Sequence, residues 1–116
     1  MISMPFWLNF IMKDRNDFRS ALSLKNIEKR YINGAIEILG IVENGGKVNW
    51  ENIVIEAELC AKDGKFLDEL TGRIAANLLP GASEHFKISS RQFPESRWES
   101  INDMKVKVSD AYHSKY

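Results

Sequence analysis

Cysteine occurs once in the 116 residues, histidine twice and proline three times, and sixteen basic residues are balanced by sixteen acidic ones. Each shortage removes a class of protein. A lone Cys60 cannot form an intrachain disulfide, so thiol usage does not demand an oxidising compartment. His85, His113 and Cys60 are too few for the common zinc patterns, and no metal ligands are assigned. Zero formal net charge gives no whole-molecule attraction to nucleic acid or to anionic lipid. It also removes the self-repulsion that keeps small proteins apart, so self-association is permitted. Long apolar runs are missing too. Phe6, Trp7, Leu8, Phe10, Ile11 and Met12 make a short one, far below the roughly 20 residues of a membrane helix. Lys13 and Arg15 follow this run, and no small-residue cleavage site comes after it, the reverse of a secretory leader. The expectation is a chain without a membrane span, cytoplasmic as written, with origin in an exported or surface protein as the alternative.

What is present is alternation. Leu22 and Leu24 open it, and Lys29 and Arg30 suggest a turn. In AIEILGIVEN, Ile36, Ile38, Gly40 and Val42 share one face and Ala35, Glu37, Leu39 and Ile41 the other, a strand apolar on both sides and hence central. Gly34 and Gly40 suggest a bulge or a close packing neighbour. Glu43-Asn44-Gly45-Gly46 is turn chemistry. Ile53, Ile55, Ala57 and Leu59 then form an apolar face opposite Asn52, Glu56 and Glu58, the half-buried antiparallel pattern. Lys62-Asp63-Gly64-Lys65 turns the chain, and Phe66 to Ile74 returns it. Leu78-Leu79-Pro80-Gly81 breaks the pattern, Phe86 and Ile88 point inward, residues 91–100 read as a polar loop, and Met104, Val106 and Val108 alternate again. Short strands with turns about every ten residues and no sustained helical period favour a sandwich or small barrel. The expected fold is all-β, an antiparallel immunoglobulin-like β-sandwich of about seven strands. It spans residues 21–112, after an apolar arm or short helix over 1–20 and before a tail over 113–116.

Gly40-Ile41-Val42-Glu43-Asn44-Gly45-Gly46 resembles the G-x-V-x-N-x-G strand and turn of FxLYD domains. Trp50, Ile53, Ile55, Ala57, Leu59, Cys60, Ala61 and Gly64 follow the W-x-x-V/I-x-V/I-x-A-x-L-Y-D-x-x-G pattern of the same family, with Cys60-Ala61 in place of its Tyr-Asp pair. Leu79-Pro80-Gly81 and Phe86 resemble its ending, so the likeness covers about residues 21–110. The resemblance implies an immunoglobulin- or fibronectin-type sandwich, of a kind common in prokaryotic surface proteins. It carries over no catalytic residues.

Chemistry is thinly supplied. Glu56 and Glu58 lie on one strand face, a spacing of about 7 Å that suits a carboxylate pair and equally a solvated face. Lys62-Asp63-Gly64 lacks the alternating oxygen ligands of a calcium loop. Gly45-Gly46 lacks the Lys-Ser/Thr of a phosphate loop. Cys60 as a nucleophile requires that folding bring a base such as His85 to it. Lys105 and Lys107 with Trp98 and Tyr112 offer a weak basic-aromatic patch that zero net charge argues against, so no nucleic-acid partner is expected. The expectation is a non-catalytic interaction module without cofactor, binding a protein partner or forming a homodimer through the arm or an edge strand. Its candidate surface is Phe6, Trp7, Phe10, Trp50 and Trp98, with Trp50 read also as a cap on the core. The alternative is a small ligand-binding or metal-dependent domain with a site at loops 43–50 and 61–65.

Overall fold

The computed structural model describes residues 17–75 and 77–113. A single helical turn, α1 (Phe18–Ala21), is capped by the Asp17 carboxylate, which accepts a hydrogen bond from the Arg19 amide at 3.0 Å. Five strands follow: β1 (Leu22–Ile32), β2 (Ala35–Asn44), β3 (Trp50–Ala61), β4 (Phe66–Ile74) and β5 (Ser83–Gln92). A second short helix, α2 (Glu95–Glu99), leads into the last described strand, β6 (Ile101–His113). The fold is all-β. Among the described residues the strands number six, in two three-stranded antiparallel sheets ordered β1-β2-β5 and β4-β3-β6. Residues 1–16 of the expected arm, with Phe6, Trp7 and Phe10, lie outside the described residues.

β2 and β3 are the central strands, and their inner faces supply the middle of one core. Ile36, Ile38 and Val42 come from β2 and Ile53, Ile55, Ala57 and Leu59 from β3, all buried in a single cluster. Burying an Ile or Leu fully contributes roughly 1.5–3 kcal/mol, so this double row dominates the stability of the domain. The outer face of β2 is only half-buried, so its apolar residues mark a central place within the sheet rather than cover on both sides.

The first hairpin turns later than expected. Lys29 and Arg30 lie within β1, and the turn is Asn33-Gly34, both at positive φ (53° and 79°), which suits a tight hairpin connection. The displacement has a local cause. The β1–β2 register shifts between Lys25 and Glu28, where Asn26 takes φ 57°, and this bulge interrupts the alternation that a sequence reading follows. The bulge also sends Ile27 inward. A Cβ on Gly40 would stand 2.6 Å from both Ile27 Cδ1 and Phe86 Cζ, so Gly40 makes room for residues of the flanking strands to meet over β2.

The second hairpin agrees with the sequence. Gly64 has φ 84°, and Asp63 Oδ1 accepts from the Lys65 amide at 3.0 Å. Residues 91–100 depart from the expected loop: β5 runs through Gln92, and Pro94 precedes the helical turn of α2. Trp98 on α2 stacks on Tyr31 with centroids 5.4 Å apart, and the Tyr31 hydroxyl donates to the Phe93 carbonyl, which fastens the end of β1 to the β5–β6 connection. β6 extends to His113, so the start of the expected tail is strand.

Candidate functional site

Sheet order places β1 beside β6 on one side of the molecule and β4 beside β5 on the other. On the β1/β6 side a groove of about 530 Å³ opens between the sheets. Leu22 and Leu24 from β1 and Val106 and Val108 from β6 give its apolar lining, and Arg19, Glu56 and Lys107 its polar lining. Met104, Val106 and Val108 are only half-buried, although their register partners in β3, Leu59, Ala57 and Ile55, are sealed. β6 pairs with β3 alone among the described strands, so its far edge carries free ladder positions there.

The sequence-predicted surface residues separate. Trp50 is 2% exposed and belongs to the core; it lies edge-on to Phe18 at 6.3 Å and to His113 at 4.7 Å. It therefore caps the core and presents no contact surface. Trp98 is half-buried against Tyr31, with Lys29 Nζ 5.0 Å from its ring centroid. It lies with Lys29 rather than with Lys105 and Lys107, which are opposite Glu58 and Glu56 in the β3–β6 register, and Lys107 Nζ is 3.8 Å from Glu56 Oε1. The two glutamates thus face lysines across the ladder. His85 lines a separate hollow on the β4/β5 side, away from the groove that Glu56 lines. Cys60 is 5% exposed, with Sγ 3.9 Å from Glu58 Oε1.

Charges on the outer face of the first sheet are also paired within it. Glu37 on β2 accepts from Arg30 Nε at 2.9 Å and lies 3.7 Å from Lys87 Nζ. Glu43 is 2.6 Å from Lys25 Nζ and accepts from the Ser83 hydroxyl at 3.2 Å. The Lys25 hydrogen bond, aided by Ser83, holds the Glu43 carboxyl below its ordinary value.

The two loops of the alternative reading differ. In loop 43–50, Asn44 is 1% exposed and its amide is spent internally. Nδ2 donates to the Val48 and Leu78 carbonyls, each at 2.8 Å, and Oδ1 accepts from the Gly46 amide at 2.9 Å. Its backbone exchanges hydrogen bonds with Gly81 and Ala82, so Asn44 knots one end of the sandwich together. Loop 61–65 borders an open hollow of about 710 Å³, lined also by Glu99, Ile101 and Asn102. Among the described residues no group of three or more His, Cys, Asp or Glu side chains is placed to hold a metal ion, and no helix is long and apolar enough to cross a membrane.

No family model matches the chain, and no match is found among curated proteins. Solved structures do match. A Northeast Structural Genomics Consortium target, SoR45, aligns with a TM-score of 0.50 at 10% identity, over 83% of this chain and 87% of its own. A β-glucosidase from Kluyveromyces marxianus aligns at a TM-score of 0.45 and 16% identity, over 79% of this chain and 14% of the enzyme. The first likeness concerns the fold alone, and the second carries no weight.

The groove escaped the sequence reading because it depends on which strands become neighbours. Leu22, Leu24, Val106 and Val108 are legible as inward residues. That Leu24, Val106 and Val108 stay half-buried appears only when β1 and β6 are placed side by side.

Proposed function

We propose that this chain is a non-catalytic sandwich module of the immunoglobulin-like, FxLYD type that acts through protein–protein contact, and that its contact surface is the β1/β6 side. One observation carries the reading: apolar residues of β6 stay half-buried beside a strand edge with no described neighbour, while the same row in β3 is sealed. A strand edge with an apolar flank is a template for adding a further strand, where backbone bonds give affinity and alternate side chains give specificity. The separation of His85 from the paired glutamates supports a role without catalysis.

The test is mass in solution. Light scattering over rising concentration is expected to show association of the native chain. Val106→Lys should abolish it, and Lys87→Gln, on the outer face of the other sheet, should leave it intact. A native chain that stays monomeric throughout overturns the reading.

The hollow beside loop 61–65 favours a second reading, a small ligand-binding or metal-dependent domain. A rise in Tm with divalent cations or a metabolite mixture, lost in Asp63→Ala, would establish it. An unchanged Tm dismisses it.

A further inference from the structure

We infer that the hollow between β4 and β5 is a binding site for a short-chain carboxylate, a ligand with one anionic end and a small apolar tail. The site lies apart from the β1/β6 contact surface and does not depend on it.

Charge sets this hollow apart. Arg73, His85 and Lys87 line it, and no carboxylate side chain does. The groove between β1 and β6 has Glu56 among its cations, and the hollow beside loop 61–65 has Asp63 and Glu99 beside Lys62. The Arg73 and His85 side chains form no ion pair or hydrogen bond among the described residues. Lys87 lies 3.7 Å from Glu37, a carboxylate that already accepts from Arg30 at 2.9 Å, so Lys87 is only loosely engaged.

The strands hold these groups around one opening. His85 and Lys87 are opposite Ile41 and Leu39 of β2, so they stand on one face of β5, and Arg73 faces them from β4. A guanidinium meets a carboxylate with two parallel N–H donors, and an imidazole N–H donates in either charge state. The arrangement is that of an anion site on two rigid strands.

The inner wall selects the tail. Ile55, Phe86 and Ile88 are buried and line the hollow from within. Phosphate carries oxygens on every side, and those set against this wall would lose their hydration without a donor in return. A carboxylate turns two oxygens to the basic rim and its carbon chain to the wall. Size narrows the class further. The hollow is about 190 Å³, kept small because Gly72 lets β4 approach Ile88. A water molecule takes about 30 Å³ of liquid, so there is room for about six non-hydrogen atoms, the size of butyrate.

The experiment follows the backbone amides of the full-length chain by NMR while butyrate, its neutral counterpart butyramide, or inorganic phosphate is added at constant ionic strength. Butyrate is expected to give saturable shifts at residues 72–74 and 85–88, in the millimolar range that so small a ligand permits. Butyramide and phosphate should give little at the same amides. Arg73→Gln should weaken butyrate about tenfold, and Arg73→Lys by less. Arg73 is exposed, and the dispersion of the same spectra shows that each variant is folded. Butyramide binding as well as butyrate would overturn the role of the basic rim. Phosphate binding as well as butyrate would overturn the role of the apolar wall. Undiminished binding in Arg73→Gln, or shifts that never saturate, would overturn the site. None of these outcomes bears on mass in solution, so the contact surface stands or falls separately.

Discussion

The two open sides of the sandwich are built from similar strands and end differently. On the β4/β5 side the sheets close. A Cβ on Gly72 would stand 2.7 Å from Ile88 Cγ1, so the missing side chain lets β4 approach Ile88, and Leu70, Phe86 and Ile88 are buried. The hollow left there is about 190 Å³, against about 530 Å³ between β1 and β6. The β1/β6 side has no such glycine contact among its lining residues, and Leu24, Val106 and Val108 there stay half-buried. Inward alternation is thus not the same as burial. A strand needs neighbours on both its edge and its face to seal its apolar row, and among the described residues β6 has a ladder partner on one edge only.

Truncation sharpens this contrast most. Ile88→Ala on the closed side removes a buried side chain and leaves a cavity, and it is expected to cost about 2–5 kcal/mol in urea unfolding. Val106→Ala on the open side, measured in a dilute sample, should cost no more than about 1 kcal/mol, because the side chain is already half in water. Equal losses would erase the distinction between the two sides. Gly72→Ala should cost about 1–3 kcal/mol by overpacking against Ile88, and Ile88→Ala in the same chain should recover part of that loss in a double-mutant cycle. Asn44→Ala strips hydrogen bonds from the buried Leu78 carbonyl and the partly buried Val48 carbonyl, and is expected to cost about 1–3 kcal/mol, with loosened exchange protection at residues 44–50 and 78–82.

These expectations also locate what the sequence could and could not convey. The β3–β4 hairpin was legible because its alternation runs unbroken into Lys62-Asp63-Gly64-Lys65, where the glycine supplies the positive φ that the turn needs. The first hairpin was misplaced by several residues, because a bulge at Asn26 resets the alternation and leaves Lys29 and Arg30 looking like turn residues. α2 was hidden in a polar stretch: five residues are too few to show a period, and Trp98 looks free until Tyr31 is seen against it. Trp50 could be placed from its position at the head of an apolar strand, and its reading as a core cap is the one its burial matches. The candidate surface was the least legible element, because it exists between β1 and β6, strands about eighty residues apart in sequence that share no ladder.

The smallest effect concerns acid. Because Lys25 and Ser83 hold the Glu43 carboxyl low in the folded chain, its contribution to stability is complete above pH 4.5, the ordinary value, and is lost as pH falls through the lower folded value. Glu43→Gln should flatten that limb of the stability–pH curve slightly and leave neutral stability nearly unchanged, as expected of an exposed pair. Both sides of the sandwich should respond alike, since Glu43 lies on the outer face of the β1-β2-β5 sheet.

The most direct measurement is hydrogen exchange of the native chain at low and high concentration, comparing two edge strands of one sheet, β6 and β4. A contact surface confined to the β1/β6 side predicts that amides of residues 104–108 gain protection as concentration rises while those of residues 66–74 do not change. Protection of both edges that is the same at every concentration would contradict it.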